Sequence, residues 1–385
     1  MLNYTLFQTI NYLYGENTTE QLPEILQEKG YKKPLLIFDA GVKAAGIIDK
    51  ITKALEAAGI AYSQFDKVQS DPPIAIINEG CEFAKSEGID AIVAIGGGSS
   101  MDTAKGINIL RFNEGPLWKY AAPMSPMTPA TGLIVIPTTS GTGSELSNGL
   151  VATNEEGVKI LFLNTLFNPE AAIVDPLNYV GQPVELTKAV GLDVLAHAME
   201  SELTILSSLP TQFISEKAAE IVVEWLPKAV ADGSNVEARS YIAVAASFGG
   251  WCLTLAAACV GHSFGHVIGA KLHIPHGLTV AYALPLVLEW NARAVPQKIK
   301  RLGAILGVEW SGNESNEEIG KKARAAAEKF IYETIGIKKF KDWNPDPSLK
   351  DDIAEGIVNE VAMPLTPEPM PIEQVKEYLD QLYAY

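Results

Sequence analysis

The first half of the chain alternates short apolar runs with amphipathic segments, a pattern that predicts buried strands followed by helices. Runs of this length between turn residues are typical of strands covered on both faces of a parallel sheet. Alternation with short connections favours a sheet wrapped by helices. The segment from Leu6 to Tyr14 is predicted as an edge strand or arm, and Thr18 with Gln21 as a capping box that starts a helix ending at Gly30. The predicted strands are KPLLIFDAG, IAYSQFD, DAIVAIGGG, TGLIVIPTT and AAIVDP.

The pattern changes after about residue 182, where helical periodicity takes over to the end of the chain. A chain of 385 residues exceeds the size that one core usually serves, so two domains are expected. We predict an α/β domain with a Rossmann-like parallel sheet over residues 1–182 and an all-α domain over 183–385. The apolar run from Tyr241 to Val260 is predicted as a buried core helix, although its length would also suit a membrane span.

Composition narrows the class of protein. Apolar residues make up 47% and charged residues 20% of the chain, as in ordinary soluble globular proteins. A net charge of -16 disfavours nucleic acid or an anionic membrane as a partner, because a polyanion would be repelled. Cys81, Cys252 and Cys259 lack CxxC spacing and read as reduced, buried thiols. With no export signal apparent at the N-terminus, we expect a cytoplasmic protein that acts on small molecules.

Two glycine-bearing loops follow predicted strands. In AIGGGSSMDTAKG the glycines lead straight into a helix, whose first N–H groups and dipole would stabilise a phosphate. The spacing is neither GxGxxG nor a Walker loop, so a structural tight turn is the alternative for this loop alone. The second loop, IPTTSGTGSE, adds hydroxyl groups after the next strand. Two such loops at one sheet edge favour a long ligand such as a dinucleotide.

Asp39 ends a predicted strand one βαβ unit before the glycine loop. A carboxylate there can accept hydrogen bonds from ribose hydroxyls and would repel a 2′-phosphate. This predicts NAD over NADP as cofactor. The alternative is that Asp39 only caps a turn.

Four of the five histidines lie in the short segment Gly261–Gly277, namely His262, His266, His273 and His276. Imidazole is the commonest side-chain metal ligand and the usual proton carrier near neutral pH, so this density predicts a site. Any one of these histidines alone would more often be an ordinary core residue. His266 is predicted to handle a proton, and His273, which precedes Ile-Pro, is predicted to support the site.

Asp193 and His197 have helical i, i+4 spacing, which places a carboxylate and an imidazole on one helix face. Together with two histidines from the cluster they form a first shell suited to a divalent metal with an open position. Mixed nitrogen and oxygen donors suit Fe(II) and Zn(II) about equally. The predicted metal ligands are Asp193, His197, His262 and His276.

GGGSSMDTAK, PTTSGTGSE, GLDVLAHAMES and GHSFGHVIGAKLHIPHG, in this order, closely resemble the motifs of the iron-containing (group III) alcohol dehydrogenases. The resemblance implies a dehydroquinate synthase-like architecture and a metal-dependent alcohol dehydrogenase or aldehyde reductase. It also implies hydride transfer between a primary alcohol or diol and NAD, and a homodimer or larger homo-oligomer. The family positions around the cofactor match Asp39, Asp71, Gly97, Gly98, Ser99, Asp102, Thr138, Thr139, Thr142, Leu146, Lys159 and Leu186.

Two positions depart from the family pattern. Asp71-Pro72 stands where relatives usually have Asn-Pro, which adds a negative charge near the expected nicotinamide. Gly149 stands where relatives often carry a bulkier residue, so more room for a longer alcohol is expected there. The alternatives to an alcohol dehydrogenase are a glycerol dehydrogenase-like polyol oxidoreductase, a dehydroquinate synthase-like lyase that uses NAD only transiently, and a binding scaffold without catalysis.

Overall fold

The computed structural model describes residues 8–121 and 126–385. Within these residues the chain forms two compact units, residues 8–181 and residues 182–385. Leu6 and Phe7, part of the predicted N-terminal strand or arm, lie outside the described residues.

The first unit is an α/β unit built on a parallel sheet. Its main sheet has six strands in the order β1-β8-β5-β4-β2-β3, with parallel pairing throughout. The strands are β1 (Asn11–Tyr14), β2 (Pro34–Ile37), β3 (Ser63–Phe65), β4 (Ala91–Gly96), β5 (Leu133–Pro137) and β8 (Ala171–Val174). The helices are α1 (Leu22–Lys29), α2 (Ala40–Ala44), α3 (Ile47–Ala57), α4 (Ile74–Ser86) and α5 (Gly98–Phe112).

The strand order reverses between β2 and β4. From β2 the chain adds β3 on one side, and then crosses to the other side for β4, β5 and β8. β2, β4, β5 and β8 are buried along their whole length, which explains their near-continuous apolar sequences. The loops that leave the carboxyl ends of β2 and β4 diverge at this reversal, where open α/β sheets bind their ligands.

A two-stranded hairpin accompanies the main sheet. β6 (Gly149–Thr153) and β7 (Lys159–Leu163) pair antiparallel. The sequence analysis did not predict this hairpin. Residues of β6 alternate between half-buried and buried, as expected of a strand with one covered face.

The predicted capping box at Thr18 is wrong. Residues Thr18–Gln21 form a 3₁₀ turn, and α1 begins only at Leu22. The Thr18 hydroxyl donates to the carbonyl oxygen of Gly15 at 2.8 Å, and the N-cap residue of α1 is Gln21, whose side chain makes no capping hydrogen bond. The local turn at Gly15 therefore competes with helix capping for this side chain.

The second unit is helical. Its helices are α6 (Val184–Leu203), α7 (Leu209–Ala231), α8 (Val236–Ala256), α9 (Val260–Leu272), α10 (His276–Asn291), α11 (Pro296–Ile305), α12 (Asn316–Glu328), α13 (Lys350–Val358) and α14 (Ile372–Ala384). A single cluster of buried apolar side chains runs through it. The predicted fold class, a parallel α/β unit followed by an all-α unit, is confirmed.

Helices α8 and α9, with the break between them, cover the segment from Tyr241 to Val260 that was predicted as one buried core helix. In the described part of the chain no single helix is both long enough and apolar enough to span a membrane. Helices α8 and α9 reach that length and apolar character only when taken together, and they are bent by 109° at the break between them. Cys252 and Cys259, like Cys81, are buried and unpaired.

Candidate active site

Asp39 follows β2 at the sheet reversal and starts helix α2. Its Oδ1 accepts a hydrogen bond from the Val42 amide at 2.9 Å, so the carboxylate caps the helix. The residue is half-buried. Asp39 therefore does cap a helix, as the alternative to a cofactor role supposed, and the cap uses one of its two carboxylate oxygens. Recognition of NAD by Asp39 stays a prediction, and it would depend on the second carboxylate oxygen, Oδ2, and on the negative charge of the group.

The glycine turn follows β4 and opens helix α5. Gly97 is the N-cap residue, and it has no side chain that could cap the N–H groups of the first turn. These N–H groups and the dipole of a 15-residue helix form a seat for an anion. Gly97, Gly98 and Ser99 are half-buried.

The two predicted cofactor loops pack against each other. A Cβ added at Gly97 would lie 2.6 Å from Thr139 Oγ1, and one added at Gly98 would lie 2.8 Å from Thr142 Cγ2. The glycines are therefore needed where the threonine loop approaches, besides leaving the backbone open to a ligand. Thr138 joins the loops through its amide, which donates to the Gly96 carbonyl oxygen at 3.0 Å.

Asp102 and Lys105 fasten the hairpin to helix α5. Asp102 accepts from the Ser144 hydroxyl at 2.9 Å and from the Val151 amide at 3.0 Å. Lys105, with no exposed surface, donates to the carbonyl oxygens of Ser144, Ser147 and Gly149 at 2.7 to 3.0 Å. Burial lowers the pKa of Lys105 to about 8, against the opposing charges of Asp102 and Glu145. Both carboxylate oxygens of Asp102 thus accept hydrogen bonds from the hairpin and the loop before it. The sequence analysis did not identify Lys105.

The remaining predicted cofactor residues lie in different settings. Leu146 is buried at 4% exposure, and Lys159 forms an ion pair with Asp71 at 2.7 Å. Leu186 lies in the first turn of α6, in the helical unit, and is 40% exposed. Their contacts with a cofactor stay predictions.

Gly149 lies beside Leu163 of the paired strand. A Cβ added at Gly149 would lie 3.2 Å from Cδ2 of Leu163 on β7. Leu163 is 46% exposed, and the Gly149 carbonyl oxygen accepts from Lys105. The expected link between Gly149 and longer alcohols stays a prediction.

The four predicted metal ligands come together in the helical unit. One donor atom from each of them lies within 4.8 Å of the others. Helix α6 presents Asp193 and His197 from successive turns, α9 contributes His262, and His276 is the first residue of α10. Asp193 Oδ1 lies 3.4 Å from His197 Nε2 and 3.5 Å from His276 Nε2.

Close backbone packing brings α10 to α6. A Cβ added at Gly277 would lie 2.1 Å from the carbonyl oxygen of Ala189, so only glycine permits this approach. The approach sets His276 beside Asp193. His273 ends α9 in the left-handed conformation, with φ of 55°, and is exposed. Its backbone turns the chain between the two helices that carry His262 and His276.

The electrostatics of this cluster fit a cation. Asp193 Oδ1 and His262 Nε2 are buried and make no hydrogen bond with any residue in the described part of the chain. Unsatisfied buried acceptors are costly unless something binds them. Partial burial, with 34% of the side chain exposed, and the neighbouring imidazoles, only partly opposed by Asp193, hold the pKa of His276 below its usual value. His276 is therefore neutral, the form that coordinates a metal.

Two glutamates that the sequence analysis missed hold two of the histidines. Glu200 Oε1 lies 2.8 Å from His262 Nδ1, and Glu360 Oε1 lies 2.8 Å from His266 Nδ1. Burial alone would raise the pKa of Glu360, but the hydrogen bond and charge of His266 lower it to about 2. An ionised carboxylate can only accept, so His266 donates from Nδ1, and in the neutral form of the ring Nε2 keeps a lone pair. The His266 ring stacks on His276 with 5.2 Å between centroids.

Residues 9–176 match the family described as iron-containing alcohol dehydrogenase, and residues 187–383 match the C-terminal region of the Fe-containing alcohol dehydrogenase family. The chain belongs to the iron-containing alcohol dehydrogenase family. This membership confirms the predicted enzyme class, an NAD-dependent oxidoreductase that acts on CH–OH groups. It also agrees with the cluster of His and Asp donors in the helical unit.

Relatives cover most of the chain. The NAD-dependent methanol dehydrogenase of Bacillus methanolicus is 32% identical over 368 residues, which are 90% of this chain and 96% of that protein. The 1,3-propanediol dehydrogenase of Klebsiella pneumoniae is 34% identical over 88% of this chain and 87% of that protein. A crystal structure of a 1,3-propanediol oxidoreductase matches with a TM-score of 0.94 at 30% identity, over 99% of this chain and 100% of that chain.

Proposed function

We propose that this protein transfers a hydride between a primary alcohol or diol and NAD, with a metal held by Asp193, His197, His262 and His276. The observation that carries the proposal is the meeting of these four donors from three helices, with two buried donor atoms that lack a hydrogen bond among the described residues. One carboxylate and three imidazoles would leave a position open for substrate if the metal takes five or six ligands, as Fe(II) does and as Zn(II) can in catalytic sites.

A divalent cation supplies a Lewis acid, which lowers the pKa of an alcohol and polarises an aldehyde carbonyl. We propose Fe(II) as the native metal, in keeping with the family, and Zn(II) as the alternative, because the donor set accepts both. Glu200 orients His262 so that Nε2 faces the other donors, the supporting role that outer carboxylates play at metal sites.

The proton of the alcohol needs a carrier. His266 is suited to this role because Glu360 fixes its Nδ1–H and leaves Nε2 free to accept. Its side chain is 41% exposed, so it can exchange protons with water. His266 is proposed as the catalytic residue on these grounds.

The α/β unit is proposed to bind NAD. The open first turn of α5 would take the pyrophosphate, and the adjoining loop Thr138–Thr142 would add hydroxyl groups. Asp39 lies at the sheet reversal, where its charge favours a free ribose over a 2′-phosphate. NAD is therefore proposed as the preferred cofactor over NADP.

A primary alcohol or diol is proposed as the substrate class. Relatives whose names specify methanol and 1,3-propanediol support it. A glycerol dehydrogenase-like activity on polyols is the second candidate. The lyase alternative is disfavoured, because both halves of the chain match alcohol dehydrogenase families.

We further propose that the protein is cytoplasmic and assembles as a homodimer or larger homo-oligomer. The three unpaired cysteines suit a reducing compartment. β1 forms one edge of the main sheet, and an edge strand is a site where a second copy can pair. Light scattering on the purified protein measures the subunit number, and a monomer would contradict this part of the proposal.

The activity is tested by anaerobic reconstitution with Fe(II) or Zn(II), followed by assays with ethanol, 1,3-propanediol and glycerol. Net accumulation of NADH with a simple alcohol supports the dehydrogenase. A marked preference for glycerol would favour the polyol oxidoreductase. Absence of net NADH with every alcohol and with either metal would contradict the proposal.

A further inference from the structure

Asp71 and Lys159 form an ion pair beside the proposed dinucleotide site. The carboxylate Oδ1 lies 2.7 Å from the ammonium Nζ. The Asp71 side chain is 63% exposed and the Lys159 side chain 31% exposed. Asp71 lies in the connection that leaves the carboxyl end of β3, on the side of the sheet where Asp39 and the glycine turn also lie.

The backbone around the pair is fixed without the carboxylate. The Thr153 amide donates to the Pro72 carbonyl oxygen at 2.8 Å, and Pro73 bridges to Thr153. Asp71 has φ of 50°, in the left-handed region that Asn and Asp tolerate better than other side chains. An asparagine would therefore satisfy the turn equally well. What the aspartate adds is its negative charge.

Lys159 stands on a hairpin that is tied to the anion seat. The hairpin amide of Val151 donates to Asp102, in the second turn of α5. The first turn of that helix is the proposed pyrophosphate seat. A free ammonium on this hairpin would attract an anionic dinucleotide, whereas an ammonium paired with a carboxylate presents little net charge.

We infer that Asp71 sets the affinity for the dinucleotide by masking the positive charge of Lys159. The inference rests on the proposed function, because it places the cofactor at the glycine turn. Asp71 is a positioning and charge-tuning residue in this account. It makes dinucleotide binding weaker than the same site would achieve with an amide at position 71.

The test compares NADH dissociation constants, measured by fluorescence titration of the metal-reconstituted, full-length protein. D71N should lower the Kd for NADH about two- to fivefold, the range set by the strength of an exposed ion pair. The difference should shrink in 1 M salt, because the Debye length falls to about 3 Å. K159M should raise the Kd, and in the K159M background D71N should lower it less than in the wild type, because only the direct repulsion between Asp71 and the dinucleotide is then removed.

E87Q is the matched control, since it removes the negative charge from the Lys33–Glu87 pair, whose atoms lie 3.0 Å apart and whose side chains are 35% and 40% exposed. Lys33 precedes β2 and so lies at the opposite, amino end of the strands, and this variant should keep the wild-type Kd. A D71N protein with an unchanged or higher Kd overturns the inference, as does an equal gain in the K159M background. Failure of the wild-type protein to bind NADH at all would instead contradict the proposed function.

Discussion

Glu200 receives three hydrogen bonds at the start of helix α9, and two of them come from the proposed metal ligand His262. Its Oε1 lies 2.8 Å from His262 Nδ1, and its Oε2 accepts from the amides of Cys259 and His262 at 2.9 and 3.1 Å. The glutamate itself is fully buried. It fixes both the backbone and the ring of His262, so that Nε2 is left as the donor atom.

E200Q should lower the affinity for metal by about 10- to 100-fold, the usual effect of losing a carboxylate behind a ligating histidine. Metal content after dialysis against a weak chelator measures this loss. E185Q removes an exposed glutamate from the same helix and should retain wild-type metal content. Equal metal retention in E200Q and the wild type would show that Glu200 does not support the site.

Metal affinity should fall as the pH decreases. Burial alone would lower the pKa of His262, but the charge and hydrogen bond of Glu200 raise it above 6.5. A protonated imidazole cannot bind metal, so the proton competes with the metal below this raised pKa. Titration with Zn(II) between about pH 5 and 8 should show affinity that levels off above the raised pKa and weakens below it. Affinity that strengthens toward acid would contradict this assignment.

K105M should destabilise the α/β unit, because the carbonyl oxygens of Ser144, Ser147 and Gly149 lose their shared donor. Buried acceptors without partners cost about 1 to 3 kcal/mol each, so we expect a loss of at least about 2 kcal/mol in the free energy of unfolding. Urea denaturation measures it. K53M, on the exposed side of α3, should stay within about 0.5 kcal/mol of the wild type. A free energy of unfolding for K105M that is also within about 0.5 kcal/mol of the wild type would contradict the anchoring role of Lys105.

Asp39 should give the wild type a higher kcat/KM with NAD than with NADP. D39N keeps an N-cap residue of comparable quality but removes the charge that repels a 2′-phosphate. The ratio of kcat/KM values for NAD and NADP should therefore fall at least about tenfold, equivalent to about 1.4 kcal/mol. A wild type that prefers NADP, or a ratio that D39N leaves unchanged, would rule out this role.

The clustering of the four proposed metal ligands could be predicted from sequence, because helix periodicity and motif spacing place them. Asp193 and His197 share a helix face at any tertiary arrangement, and His262 and His276 come from one short segment. The parallel strands were equally readable, since burial on both faces leaves apolar runs between turn residues. These features depend on local sequence alone.

The supporting residues could not be predicted in the same way. Glu360 reaches His266 across 94 residues of sequence, and no local pattern connects them. Glu200 lies in an apolar stretch of α6, where a buried carboxylate needs a partner, and this was a signal that the sequence analysis did not use. Lys105 follows Asp102 by three residues, so both project toward the hairpin, but the hairpin itself was not predicted.

The most direct test of the account is the metal content and activity of H276A beside those of H266A. The wild type, reconstituted anaerobically with Fe(II), should hold about one ion per chain and accumulate NADH with a primary alcohol. H276A should lose both the metal and the activity, whereas H266A should keep the metal and turn over more slowly by about 10²-fold or more. An H276A protein with wild-type metal content would contradict the assignment of Asp193, His197, His262 and His276 as the metal centre.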